Sequence, residues 1–237
     1  MTQPINIYTI WYGNWQNNPA TSIISTFISN LGGSSYWGIN TAYYMFIEGT
    51  KTYVSDQVTL KGSFNDNYSQ GTSITQSLIE DKIIPNAVSN GLTLDVNGIY
   101  LILMSKDIKF PSYCLNWCAK SFHSTISGAT IKYSVIGDPE TQCPRLCAYQ
   151  ETTPNGNLAA DTMINLIANS LANVATDPLS MSWWDSHGNQ NADKCNFNFG
   201  TSTFKTTNGA IANLTLNGKN YLVQQLWNLN KGACSMS

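Results

Sequence analysis

The chain has 237 residues, 42% of them hydrophobic, and 12 Lys and Arg against 14 Asp and Glu give it a formal net charge of −2. Only 11% of the residues are charged, against about 25% in a typical domain. There is no basic stripe to neutralise phosphates and no apolar run near the roughly 18–20 residues that cross a bilayer as a helix. The composition therefore excludes a nucleic-acid binder, a helical membrane protein and a disordered tail, and leaves a folded chain with a surface of Asn, Ser, Thr, Gln and Gly.

No signal-peptide pattern is present, and Met1-Thr2-Gln3-Pro4 leads directly into a strand, so the chain reads as a mature domain with an added start Met. Residues 5–15 are β-branched and aromatic and predict a strand ending at Gly13. Residues 20–31 carry Ile23, Ile24, Phe27, Ile28 and Leu31 at helical spacing, with Pro19 just before them. Residues 32–50 are rich in Gly and Tyr and give no clear period, and 52–64 alternate as a strand. Residues 73–90 predict a helix kinked or split by Pro85. The continuous apolar run at 98–108 predicts a central buried strand, and 129–138 another strand. The longest helical pattern is 158–177, with Met163, Leu166, Ile167, Leu171 and Val174 on one face and Asp177-Pro178 as its stop. The rest is loop-rich, with a final short element at 219–229. This alternation, with no composition break or repeat, predicts one domain over 1–237 with a mixed sheet.

Six cysteines are present, in two C-x3-C pairs and a distant pair. The most economical disulfide pairing is Cys114–Cys118, Cys143–Cys147 and Cys195–Cys234, because residues four apart on a helical turn bring their Cα atoms near 6 Å. A four-cysteine zinc site from the two close pairs is the rival, weakened by the spacing and the lack of knuckle glycines; free thiols are a third reading. Disulfides would imply an oxidising compartment. Sequons at Asn67 and Asn213 agree with that.

Chemistry-bearing residues are sparse. His123 and His187 are the only histidines, and no G-x-S-x-G motif or Gly-rich phosphate loop occurs. His123 follows the first cysteine pair, where a structural hydrogen bond competes with a catalytic role. His187 lies in a loop with Asp185, between Asp177 and Asp193; turn chemistry and a metal or Ca²⁺ site are the two readings. The long helix carries Asn165, Asn169 and Asn173 at i, i+4 and i+8. These form either a neutral solvent face or the stripe where a zinc hydrolase would carry His-Glu-x-x-His, whose two imidazoles share a metal while the Glu activates its water.

Taken as an ordered set, 4–15, 68–75, 98–108, the two-cysteine segment ending in Phe122-His123, 133–149, 155–167 and 220–235 resemble the plant phosphate-induced protein family, also called the Exordium family. The resemblance runs over nearly the full length and includes the order and spacing of the six cysteines. It implies a protein secreted to the apoplast and cell wall and associated with growth, and it brings no catalytic activity with it. Residues 167–195 also look like a microbial group with a zincin-type helix of the form H-E-L-x-E-A-x-T-D-P, then W-[YW]-D and G-x-E-I-x-D-x-C. Carried across, the first helix ligand falls on Asn169, the general base on Ser170, the second ligand on Asn173 and the later Glu on Gln190. Thr176, Asp177, Pro178, Asp185, Gly188, Asp193 and Cys195 keep their identities.

The expectation is a single-domain α/β (α+β) fold, zincin-like and stapled by disulfides, secreted and non-catalytic, with no cofactor or bound metal. Its partners would be extracellular glycans or matrix proteins. One alternative is a carbohydrate-binding module using Trp11, Tyr12, Trp15, Trp37, Trp183 and Trp184; another is a hydrolase with an atypical site built from His123, His187 and Asp185. The lost-metal reading gains if Asn169, Asn173 and Gln190 converge on a cleft, and fails if they scatter.

Overall fold

The computed structural model describes residues 1–237. In chain order, β1 (Ile5–Tyr12), α1 (Ala20–Ser29), α2 (Ser35–Gly38), the hairpin β2 (Tyr44–Ile47) and β3 (Thr50–Tyr53), and β4 (Val58–Asp66) come first. Then follow α3 (Gln76–Leu78), α4 (Ile84–Ser89), β5 (Gly98–Met104), β6 (Ala119–Ile126), β7 (Ala129–Gly137), α5 (Pro144–Cys147) and α6 (Leu158–Thr176). Beyond α6 there are only short hairpin strands: β8 (Phe204–Lys205) with β9 (Ile211–Ala212), β10 (Leu214–Leu216) with β11 (Lys219–Tyr221), and β12 (Leu226–Asn228) with β13 (Ala233–Ser235).

One five-stranded sheet organises the molecule, in the order β4-β1-β5-β7-β6. The first four strands are parallel and β6 closes one edge antiparallel to β7. Parallel strands joined through helices cross over right-handedly. The chain steps one way from β1 to β4 and the other way from β4 to β5, so α1 and α4 land on opposite faces. Strand periodicity divides the core in the same way. Ile5, Ile7, Trp11, Ile99, Leu101 and Leu103 pack with α1 and α6. Tyr8, Ile10, Tyr12, Tyr100, Ile102 and Met104 pack with α4. With both faces covered, β5 is buried along its whole length, which explains its unbroken apolar sequence.

Local departures from the predicted elements have physical causes. The strand at 52–64 is two strands, since β3 pairs with β2 whereas β4 pairs with β1. The helix at 73–90 contains a π turn at Ile79–Ile83 just before Pro85. Proline has no N–H and crowds the carbonyl four residues back, and the wider turn relieves both problems. Residues 219–229 hold parts of two hairpins rather than one element. The exposed, mixed-polarity edge strand β6 gave no periodic signal, and it is the element that matters most for the site.

The cysteine pairing differs from the i,i+4 expectation. The bonds are Cys114–Cys143, Cys118–Cys147 and Cys195–Cys234, and no cysteine is free. Within α5 the sulfurs of Cys143 and Cys147 are 3.4 Å apart, well beyond a bond of about 2.05 Å. The two C-x3-C segments lie side by side in the same direction, and each cysteine bonds its counterpart 29 residues on. The close pairs therefore join the β5–β6 loop to the β7–α6 loop, and a shared zinc site is ruled out.

Tyr113 packs over Gly137, where an added Cβ would lie 2.2 Å from the ring. Its hydroxyl is buried without a hydrogen-bond partner. Tyr113→Phe removes an unpaired polar group and should raise unfolding stability by about 1 kcal/mol. Gly137→Ala should lower it by about 2–3 kcal/mol by overpacking. Urea denaturation of both variants checks the pair, and a destabilised Tyr113→Phe would contradict it.

Candidate functional site

Helix α6 is positioned first by its cap. The Asn157 side chain accepts from Ala160 N at 2.8 Å, as a helix N-terminus requires. The helix then runs below the sheet with almost every residue buried. Its Asn stripe is therefore not a solvent face: Asn165 and Asn173 are each only 5% exposed. The stripe faces irregular chain from the C-terminal third, whose backbone groups need partners. Asn165 Oδ1 accepts from Gln224 N at 2.7 Å, and Asn173 Oδ1 accepts from Ala192 N at 2.8 Å.

Between β6 and the C-terminal half of α6 lies a cleft of about 250 Å³. Asn169, Ser170, Asn173 and Gln190, the four positions carried across from the zincin-type pattern, all line it. His123 on β6, Asp177 and Asp193 line it as well. The residues thus converge, but as a network bonded to itself. Asn173 Nδ2 donates to Asp193 Oδ1 at 2.9 Å, and Asn169 Nδ2 donates to the same oxygen at 3.3 Å. Gln190 Nε2 donates to Asp177 Oδ2 at 2.7 Å. Asp177 Oδ1 accepts from Met181 N and Ser182 N, both at 2.7 Å, so this buried carboxylate is committed to holding the turn after the helix.

Asp185 and His187 lie outside the cleft lining. Asp185 Oδ1 accepts from Asn189 N at 3.0 Å and His187 N at 2.9 Å, and Oδ2 meets Lys194 Nζ at 3.1 Å. These bonds, the one from Asn189 N foremost, hold the Asp185 carboxyl well below the usual carboxylate range. The 185–189 loop is thus a turn built on an Asp. His123 shares neither a hydrogen bond nor a cleft lining with His187 or Asp185.

No three His, Cys, Asp or Glu side chains come together in a way that could hold a metal ion. In the cleft, neutral amides stand at the ligand positions, and a carboxamide is a poor zinc ligand. The donor set does not fit zinc. Of the two sequons, Asn67 is exposed. Asn213 has its amide committed: Nδ2 donates to Val223 O at 2.7 Å and to Phe199 O at 3.0 Å, so a glycan, which replaces one N–H, would cost at least one of these bonds. Among the predicted aromatic platform residues, Trp11, Tyr12, Trp15 and Trp37 are buried, whereas Trp184 is 57% exposed.

A family model described as the phosphate-induced protein 1 conserved region matches residues 1–237. The chain is 29% identical to Protein EXORDIUM-like 5 of Arabidopsis thaliana over 273 residues, covering 99% of this chain and 74% of that one. It is 29% identical to Protein EXORDIUM-like 3 of the same plant, covering 96% and 77%. It is 26% identical to Protein PHOSPHATE-INDUCED 1 of Nicotiana tabacum, covering 98% and 83%. No solved structure matches.

The two cleft asparagines should differ sharply on truncation. Asn173→Ala orphans the buried N–H of Ala192 and should cost about 2 kcal/mol. Asn169→Ala removes two long bonds of 3.3 Å, one to Asp193 and one from Asn173, from a half-exposed side chain and orphans no backbone group, so it should cost less than about 0.5 kcal/mol. Denaturant unfolding of both, side by side, reads the difference, and equal costs would mean that Asn173 is not the anchor.

Proposed function

The chain belongs to the phosphate-induced protein 1 family, and on that footing we propose that it is a secreted protein with a non-catalytic binding role in an extracellular matrix or cell wall, its site the cleft between β6 and α6. One observation carries the reading. The four positions where a zincin-type site would place its ionisable groups share a single cleft, yet they hold the neutral Asn169, Ser170, Asn173 and Gln190, and the three amides are bonded to Asp193 and Asp177. This convergence supports a metalloprotease-like scaffold that has lost its ligands. Hydrolysis needs a base within hydrogen-bond reach of a water or a substrate proton. Asp177 is occupied by three bonds, Ser170 is no carboxylate, Asp193 accepts from Asn169 and Asn173, and His123 has no carboxylate bonded to it to orient its ring.

What remains is a recess roofed by an edge strand and floored by amides. Such a surface recognises by shape and hydrogen bonds, which suits glycans or matrix proteins as partners. Secretion is supported by the three disulfides with no free thiol, since such bonds persist in oxidising compartments. No helix of the chain is long and apolar enough to cross a membrane.

The metal arm of this reading is directly testable. Protein purified without chelators should contain less than about 0.1 zinc per chain by elemental analysis. Asn169→His combined with Asn173→His sets two imidazoles one turn apart beside Asp193, and should gain zinc binding in the micromolar range by titration. Stoichiometric zinc in the native protein would overturn the proposal; failure of the double variant to bind zinc would remove the lost-ligand ancestry from it.

A further inference from the structure

A second and larger cleft, of about 640 Å³, opens where β1 and β4 end against α1. This is within the range of small-ligand sites, and in open α/β sheets the carboxyl ends of parallel strands are where ligands bind. Gly13 makes the chain path possible. It turns out of β1 with φ +104°, and any Cβ there would lie 2.0 Å from Ser105 Oγ. Ser105 Oγ in turn accepts from Asn14 N at 3.1 Å, which fixes the start of the loop.

None of the residues lining this cleft carries a charge. Asn14, Gln16 and Asn17 come from the loop after β1, and Asn65 and Asn67 from the end of β4. All five are exposed, and their carboxamides are bonded to nothing else in the protein. That separates them from the amides of the β6–α6 cleft, which are consumed internally. Each free carboxamide offers a donor and an acceptor together, the combination that neighbouring hydroxyl groups of a polyol satisfy reciprocally.

Trp11 and Trp15 supply the apolar part. Both rings are buried and their N–H groups are already used, by Ser63 Oγ at 2.8 Å and Leu103 O at 3.0 Å, so they close the floor of the cleft and offer it no hydrogen bond. A phosphorylated or carboxylated ligand would find no cation here. A lipid would find too little apolar wall, because only those two residues of the lining are hydrophobic.

We propose that this cleft is a binding site for a neutral saccharide. The five free carboxamides hold its hydroxyls, over a floor closed by the buried Trp11 and Trp15. The site shares no residue with the β6–α6 cleft, so the zinc measurements leave it untouched. The sequon residue Asn67 forms part of the wall, and a glycan attached there would stand over the opening.

The test uses the full chain, made with its disulfides formed in a host that does not N-glycosylate, so that Asn67 is bare. It is presented to an array of neutral oligosaccharides (glucans, mannans, galactans and xylans) beside uronic-acid and sulfated ones. Any neutral binder is then measured by calorimetry. We expect binding among the neutral set and none that is confined to the acidic set. Gln16→Ala with Asn65→Ala should weaken binding at least tenfold, and Ser22→Trp, an exposed position on α1, should plug the cleft and abolish it. Silence across the neutral set overturns the proposal, as does affinity that survives both variants.

Discussion

Backbone that is buried without helix or sheet must find its hydrogen bonds elsewhere, and in this protein it finds them on carboxamides. Asn173 and Asn165 on α6 receive Ala192 N and Gln224 N. Gln224 Nε2 donates to Ala192 O, and Asn191 Oδ1 accepts from Trp227 N. Gln150 takes both groups of Ile211, and Asn213 both groups of Val223, each amide pairing like a single peptide unit of a strand. The C-terminal third has only two- and three-residue strands, so these side chains do much of the work of a sheet. A carboxylate or a cation in their places would accept or donate but not both, and burying it would carry a desolvation cost. The low charged fraction of the sequence therefore has a structural cause inside the molecule as well as a surface one.

That constraint also explains what could be read from the sequence and what could not. The buried strand β5 was legible because both of its faces are covered, and α6 because its apolar positions keep the helical period. The places where the chain stops β1 and α6, at Gly13 and Asp177, were legible as well. The Asn stripe on α6 was misleading on one of its two readings. An isolated sequence presents i, i+4 amides as a solvent face, and only the fold supplies the irregular chain that buries them. The edge strand β6 left no pattern because its exposed residues, Lys120, His123 and Thr125, do not alternate with buried ones. Cys195–Cys234 was paired as expected, but the pairing of the two C-x3-C segments was missed because local spacing favours i,i+4 bonds, whereas the real partners are brought together by the strand order β5-β7-β6.

The candidate site depends on these same non-local features. The β6–α6 cleft exists because the antiparallel edge strand passes over the helix that follows β7. Cys118 immediately precedes that strand, and Cys195 lies two residues beyond Asp193 in the wall. From sequence, the alignment with a zincin-type pattern singled out Asn169, Ser170, Asn173 and Gln190, which share one cleft. Their joint location needed the fold. The amide-lined cleft at the end of β1 was visible in sequence only as an Asn- and Gln-rich loop, indistinguishable there from ordinary turn chemistry.

The parallel pair of disulfides has a further consequence for durability. Cys114–Cys143 and Cys118–Cys147 span the same separation of 29 residues and sit four residues apart. Either bond alone closes essentially the same loop, and the second adds closure of only a few residues, so their chain-entropy contributions overlap rather than add. The edge strand beside the cleft is thus held by a duplicated tether that fails only when both links are reduced. The C-terminal segment has one covalent link, Cys195–Cys234, beside its carboxamide bonds. Loss of either paired link leaves the loop before the edge strand still closed by the other, whereas loss of Cys195–Cys234 leaves the C-terminal segment to its amide bonds and packing.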